Sequence, residues 1–199
     1  MNRLLLDVMR ERIAHGLVHL AYAPEWRLLD VGAGYGRDAK FFSAEPDIRV
    51  SVLENSASFL NTLRRAAANG DIDLDQIIDA DMRDLSMIAD SAFECVRNYA
   101  TLHHVPVVPY GLGADSAISE TRRVLVTGGV FQCLVKQGSG IAMTDTGEGL
   151  GQRFYQYFSQ DSLSQLLERH SLEPLHYATF RESRPAGDVE WIMMLACAR

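Results

Sequence analysis

No stretch of this sequence approaches the ~18 uninterrupted apolar residues that a membrane-spanning helix requires, so no membrane span is expected. Cysteine is scarce too. Cys95, Cys133 and Cys197 lie far apart, without a C-x-x-C pair or a zinc-like spacing, and each stands in an apolar run. An odd number of scattered thiols, with no signal peptide ahead of them, predicts buried reduced side chains and a cytoplasmic protein. Positive charge is the minority sign, 19 Lys and Arg against 26 Asp and Glu, which sums to -7 and withholds any general attraction to polyphosphate. Nucleic acid is thereby disfavoured as a partner. Repeats, low-complexity tracts and interdomain linkers are missing as well, so the 199 residues are expected to form a single domain, 1–199, with one sizeable core.

What is present is an alternation. Leu6, Met9, Ile13, Leu17 and Leu20 recur three and four positions apart, predicting an amphipathic helix over 1–22 that Pro24 ends. Arg27 to Val31 then reads as a strand, a glycine cluster as a turn, and Arg37 to Ser43 as a helix with Phe41 and Phe42 turned inward. The unit repeats with a strand at Ile48 to Leu53, a helix at Ser56 to Asn69 closed by Asn69-Gly70, and a strand at Leu74 to Ile78. Ala92 to Asn98 reads as a fourth strand, Gly113 to Val126 as a helix, and Thr127-Gly128-Gly129 as the turn into a fifth strand, Val130 to Val135. After a glycine-bearing loop at 136–160, a helix runs from Asp161 to about His170, and two apolar runs, Leu172 to Phe180 and Val189 to Ala198, close the chain as a strand pair. Five strands alternating with helices predict an α/β fold, a doubly wound and mostly parallel sheet covered on both faces.

In such sheets ligands bind beyond the C-terminal strand ends near the switch in strand order, which directs attention to the first strand-to-helix turn, Asp30-Val31-Gly32-Ala33-Gly34-Tyr35-Gly36. Alternate glycines let the backbone approach a ligand closely and accept angles other residues avoid. The nicotinamide fingerprint would need a third glycine at position 37, which is Arg37, and the phosphate loop would need a Gly-Lys-Ser/Thr that is absent. The second strand ends at Glu54, 18 positions after Gly36, where a carboxylate can accept both hydroxyls of a ribose. The third strand runs into Asp81-Met82, a short carboxylate beside an apolar side chain, a pair suited to an adenine's amino group and ring face.

These residues together resemble the class I S-adenosylmethionine-dependent methyltransferases, especially the group of small stand-alone methyltransferase domains. Leu28 to Gly36 is similar to the family's first motif, Glu54 to its ribose acid, Asp81-Met82 to its adenine pair, and Phe93 to Pro106 to its fourth-strand motif. Arg123-Val124-Leu125-Val126-Thr127-Gly128-Gly129 resembles the segment leading into its fifth strand. The resemblance implies a Rossmann-like, seven-stranded sheet with an antiparallel last strand. It also implies S-adenosylmethionine as cofactor, giving S-adenosylhomocysteine, held by Asp30, Gly32, Ala33, Gly34, Gly36, Glu54, Asn55, Asp81, Met82 and Asn98. Two departures stand out: Phe93-Glu94 where the family more often has Asp in second place, and Thr127 where it more often has proline.

Methyl transfer from a sulfonium asks the protein mainly for proximity and alignment, with a base only where the nucleophile bears a proton. The expected catalytic residue is His103, in the segment after the fourth strand, with Tyr99 beside the acceptor; the alternative is that Leu102-His103-His104-Val105 only packs. The 136–160 loop is expected to act as a lid, with Lys136, Arg153 and Tyr155 contacting the substrate; the alternative is a small satellite core. Glu11, His15 and His19 recur every four residues, but no closing ligand accompanies them and no metal is expected. The reading is methyl transfer to a small-molecule acceptor through an O, N or S atom. The alternatives are a protein or nucleic-acid methyltransferase, or a non-catalytic nucleoside-binding member of the fold.

Overall fold

The apolar runs become strands because they are rich in Val, Ile and Leu, lack the three-and-four spacing of an amphipathic helix, and are bounded by glycine or polar turns. A computed structural model describes residues 1–20, 24–107, 112–145, 152–184 and 187–199. In chain order the elements are α1 (Asn2–Ala14), β1 (Trp26–Val31), α2 (Arg37–Ser43), β2 (Ile48–Glu54), α3 (Ala57–Ala68), β3 (Gln76–Asp79) and β4 (Phe93–Tyr99). A 3-10 turn at Leu102–His104 follows, then α4 (Ala114–Val124), β5 (Leu125–Lys136), β6 (Ile141–Asp145), β7 (Gln152–Gln156), α5 (Gln160–Arg169), β8 (Leu172–Glu182) and β9 (Val189–Ala198).

Seven strands form one sheet in the order β3-β2-β1-β4-β5-β9-β8. β1 to β5 run parallel, and β9 is antiparallel to both β5 and β8. The sheet is the one expected, including its antiparallel last strand. Strand order reverses between β1 and β4, so their C-terminal ends diverge into a crevice where a ligand can sit.

Period-two alternation assigns the two faces. Along β1, Leu28 packs with Leu5, Met9 and Phe42 of α1 and α2, whereas Leu29 packs on the other face with Ile118, Phe131 and Leu163. Each such side chain contributes about 1.5–3 kcal/mol by burial, and Leu28, Leu29, Met9 and Phe42 are fully enclosed. Glu94 explains one departure from the family pattern. Its buried carboxylate accepts from the Arg27 backbone N–H at 2.7 Å, from Nε at 3.1 Å and from Nη2 at 2.8 Å. The side chain thus ties β4 to the start of β1.

Three segments differ from expectation. α1 stops at Ala14 rather than near Tyr22, because Gly16 takes φ +68 and its N–H turns back to the Ile13 carbonyl. Leu17 consequently lies outside the helix and is exposed, and Glu11, His15 and His19 share no helical face. Residues 21 and 22 of the expected helix lie outside the described residues. β5 starts at Leu125, so the expected turn at Thr127-Gly128-Gly129 is absorbed as a register shift against β4. Glycine is needed there: at Gly128, with φ +81, a Cβ would lie 1.9 Å from the Leu17 carbonyl oxygen, and Arg12 of α1 donates to the Gly128 carbonyl at 3.0 Å. The 136–160 segment is not simply a loop. β5 continues through Lys136, and β6 and β7 pair as an antiparallel hairpin. Ile141 and Met143 of that hairpin are exposed, so its alternation is not a core pattern and resembled loop; residues 146–151 lie outside the described residues. Among the described residues no helix is long and apolar enough to cross a membrane.

Candidate functional site

Beyond Val31 the chain turns sharply, and the Gly32 and Ala33 N–H groups donate to the Leu53 carbonyl at 2.7 and 3.3 Å, fastening the turn to β2. Gly32 has φ +73, and a Cβ there would lie 2.4 Å from Thr101. Gly34 has φ +56 with nothing within 4 Å of the Cβ position, so its backbone faces open space. Gly36, at φ +77, plays another part: a Cβ would strike Leu63 and Ile72 at 2.7 and 2.8 Å, so this glycine lets α2 start against α3.

Two cavities open on this turn. One, of about 440 Å³, is walled by Gly34, Glu54, Asn55, Ser56, Phe59, Asp81, Met82, Thr101, His104 and Arg153. The other, of about 460 Å³, is walled by Asp30, Ala33, Asp38, Arg97, Leu134, Phe180, Glu182, Arg184 and Trp191. Gly32, Tyr99 and Ala100 belong to both walls. Ala100, at the junction, is a non-glycine residue at φ +62, strain that its N–H bond to the Leu134 carbonyl at 2.9 Å helps hold.

Glu54 is fixed by backbone donors. Oε2 accepts from the Gly34 N–H at 3.0 Å, and Oε1 accepts from Asn55 and Ser56 at 2.9 and 3.0 Å. A carboxylate oxygen has about two lone-pair sites, so Oε1 is filled by its two donors and Oε2 keeps one site free for a ribose hydroxyl. Asp81 is clasped by Arg83, which donates through its backbone N–H and Nε at 2.9 Å and Nη2 at 2.6 Å, and these bonds hold its carboxyl below the usual range. Asn98 lines neither cavity; it accepts from the Leu102 N–H at 2.7 Å and directs Nδ2 at the Met82 sulfur at 3.5 Å, positioning the wall.

The second cavity has a charged floor. Burial pushes the Asp30 carboxyl up, opposed by Arg97, whose Nη1 donates to Asp30 at 3.0 Å. Arg97 is 1% exposed; it also donates through Nε to Gln132 at 2.8 Å and through Nη2 to Asp38 at 2.8 Å. Burial works to raise Asp38, but Arg97 and a bond from Asn2 outweigh it and leave its carboxyl below the usual range. The guanidinium lies 4.0 Å from the Tyr99 ring centroid, and burial raises the Tyr99 phenol above its ordinary value.

His103 is corrected by its surroundings. It is 2% exposed, lines neither cavity, and stacks on Tyr155 at 5.5 Å and beside Trp191 at 5.7 Å. Burial, with lesser repulsion from His104 and Lys136, lowers its pKa to about 2, so near neutrality it is a poor proton acceptor. Lys136 and Tyr155 join this packed cluster, Nζ lying 3.5 Å over the Tyr155 ring, and neither lines a cavity. Arg153 does reach a wall, but that of the Glu54 cavity. The residues the sequence reading missed are Arg97, Asp38, Phe180, Glu182, Arg184 and Trp191. Arg97 carried a signal, since a charged residue inside the apolar run of a central strand demands buried partners.

The "Methyltransferase domain" family profile matches residues 29–133, just over half of the chain. A sequence search of curated proteins gives no match. Among solved structures, a S-adenosylmethionine-dependent methyltransferase from Methanosarcina mazei superposes with TM-score 0.74 at 17% identity, covering 94% of this chain and 96% of that one. The 1,6-didemethyltoxoflavin-N1-methyltransferase of Burkholderia thailandensis, solved with bound 1,6-didemethyltoxoflavin and S-adenosylhomocysteine, gives 0.69 at 21% identity, covering 94% and 77%. The [4+2]-cyclase SpnF gives 0.67 at 17% identity, covering 99% and 80%. Likeness at these identities establishes the fold, and the fold carries more than one chemistry.

Proposed function

Because this chain belongs to the methyltransferase-domain family and is a S-adenosylmethionine-dependent methyltransferase, we propose that it methylates a small molecule held in the cavity of Phe180 and Trp191. The observation that carries this reading is the pair of cavities meeting at Gly32, Tyr99 and Ala100. The residues suit the donor: Gly34 presents bare backbone, and Glu54 is an acceptor held in place by three N–H groups. Glu54, Asn55, Asp81 and Met82 then hold the nucleoside, and Asp30, Gly32 and Ala33 the amino-acid end. Bound there, S-adenosylmethionine supplies an already activated methyl group for in-line displacement.

The chain's own residues do the rest. Phe180, Trp191 and Leu134 offer an apolar wall that excludes water and fits a flat acceptor, and about 460 Å³ lies in the range of small-ligand sites. Tyr99, at the junction, keeps its phenolic proton and so orients as a donor rather than removing a proton. Among the described residues this cavity holds no histidine or lysine. That favours an acceptor atom already nucleophilic without an imidazole base. Cys95, Cys133 and Cys197 are buried and unpaired, which supports action in a reducing compartment.

The test is a thermal melt with S-adenosylmethionine, S-adenosylhomocysteine or NADH added separately. A ligand at ~100 times its Kd stabilises by ~2.7 kcal/mol, a rise of several degrees for a chain of this size. Both adenosyl compounds should raise Tm and NADH should not; the reverse pattern refutes the reading.

A further inference from the structure

Phe180, Glu182 and Arg184 alternate along the end of β8 and just past it, and all three line the cavity that Trp191 closes from β9. Register sets Phe180 opposite Trp191, and their rings lie within 16° of parallel with centroids 6.5 Å apart. Together they make a flat apolar wall. Its border is polar: Glu182 Oε2 accepts from Trp191 Nε1 at 2.9 Å and from Arg184 Nη2 at 2.8 Å. A carboxylate oxygen has about two lone-pair sites, so Oε2 is filled, whereas Oε1 meets no donor among the described residues. Arg184 commits Nη2 alone, and its Nε and Nη1 meet no acceptor among the described residues. Both side chains are 45% exposed, so this ion pair is weak and its free atoms are open to a ligand. Asp30, Asp38 and Arg97, by contrast, satisfy one another at 3.0 and 2.8 Å. The cavity wall as a whole carries three carboxylates, Asp30, Asp38 and Glu182, and three guanidiniums, Arg37, Arg97 and Arg184. An ion entering it meets no surplus of opposite charge to offset its desolvation, which favours an uncharged acceptor.

We propose that Glu182 and Arg184 are acceptor-recognition residues, and that the molecule they select is an uncharged flat heterocycle with a lactam edge, its N–H donating to Glu182 and its C=O accepting from Arg184. This rests on the small-molecule reading above. A free carboxylate oxygen beside free guanidinium N–H groups is the complement of an N–H next to a C=O, and the Phe180 and Trp191 rings supply the surface on which the heterocycle lies. In the sheet order β8 stands three strands from β4, whose Tyr99 marks the junction with the other cavity. An acceptor gripped at β8 by its lactam edge therefore turns its opposite edge to the methyl group, and the atom methylated is not the lactam nitrogen.

Three flat bicyclic probes, titrated by NMR into the chain loaded with S-adenosylhomocysteine, test this. 2-Quinolone carries a lactam edge, quinoline lacks it, and 2-naphthoate carries a carboxylate in its place. The parent chain should bind 2-quinolone at least fivefold more tightly than quinoline, and 2-naphthoate no more tightly than quinoline. Arg184→Leu and Glu182→Ala should each reduce the preference for 2-quinolone over quinoline to less than twofold. Phe180→Leu, which alters the wall and leaves the polar border, should weaken both neutral probes and keep the preference. A parent chain without the preference overturns the proposal, and so does a preference that survives both border variants. Tightest binding of 2-naphthoate overturns it too, since Arg184 would then be an anion site, as does a loaded chain that binds no probe. A chain that does not take up S-adenosylhomocysteine fails the donor reading itself, and the proposal with it.

Discussion

Replacing Glu54 by glutamine is a sharp perturbation because the side chain keeps its size and loses only charge and one acceptor. Oε1 faces two backbone N–H groups and Oε2 faces a third, at 2.9 to 3.0 Å. An amide must therefore aim its NH2 at a backbone donor whichever way it turns, and the less damaging orientation sacrifices the Gly34 bond. A hydrogen bond to a charged group contributes ~1.5–3 kcal/mol, so this loss alone lowers Tm by several degrees. The same exchange removes the one free acceptor site, on Oε2, together with the charge that strengthens a ribose hydroxyl bond there. Another ~1.5–3 kcal/mol then disappears from binding, which at ~1.4 kcal/mol per decade is roughly 10- to 100-fold in Kd. Isothermal calorimetry with S-adenosylhomocysteine, well below the variant's Tm, measures it. Methylthioadenosine, which retains the ribose, should weaken in parallel. A Glu54→Gln chain that binds S-adenosylhomocysteine within twofold of the parent removes Glu54 from the ribose site.

Gly32→Ala and Gly70→Ala share nearly the same backbone angle, φ +73 and +74, but a Cβ meets Thr101 at 2.4 Å in the first and nothing within 4 Å in the second. Left-handed strain is therefore common to both, and Gly32→Ala should melt several degrees lower through overpacking of ~1–3 kcal/mol; equal melting temperatures refute the contact. Because burial depresses the His103 pKa to about 2, the unfolded chain binds a proton below pH ~6.5 that the folded chain refuses. The stability from His103 is complete above pH ~6.5 and falls by up to ~1.4 kcal/mol per pH unit as pH drops below it. His103→Phe should flatten the stability profile between pH 6 and 5 by close to that slope, and an unchanged profile in urea titrations counts against the burial argument.

Most of the sheet was legible because its strands are apolar runs between glycine turns, and a buried parallel strand needs little else. Legibility failed where local signals were overruled from a distance. The stripe of α1 continues through Leu17 and Leu20, but Gly16 stops the helix so that the following chain can cross Gly128. The β6 and β7 hairpin was hidden because Ile141 and Met143 face solvent and show no buried periodicity. His103 drew attention as an imidazole after a strand end, and only three-dimensional packing against Tyr155 and Trp191 reveals it as enclosed.

The same contrast divides the site itself. The wall from Gly32 to Met82, proposed for the nucleoside, comes from consecutive strand ends, so a short stretch of sequence specifies it, and all of it lies inside the matched segment 29–133. The far wall of the other cavity is built by Phe180, Glu182, Arg184 and Trp191, on and beside two antiparallel strands that lie outside that segment. Those strands are free to vary without disturbing the donor, because β9 joins the sheet through backbone bonds to β5, which do not depend on side-chain identity. Arg97 bridges the two halves: it leans on Tyr99 at their junction and anchors Asp30 of the glycine turn, and its contact with Asn2 extends the coupling to α1. Acceptor choice should therefore follow the side chains of β8 and β9, while donor affinity follows the glycine turn and Glu54.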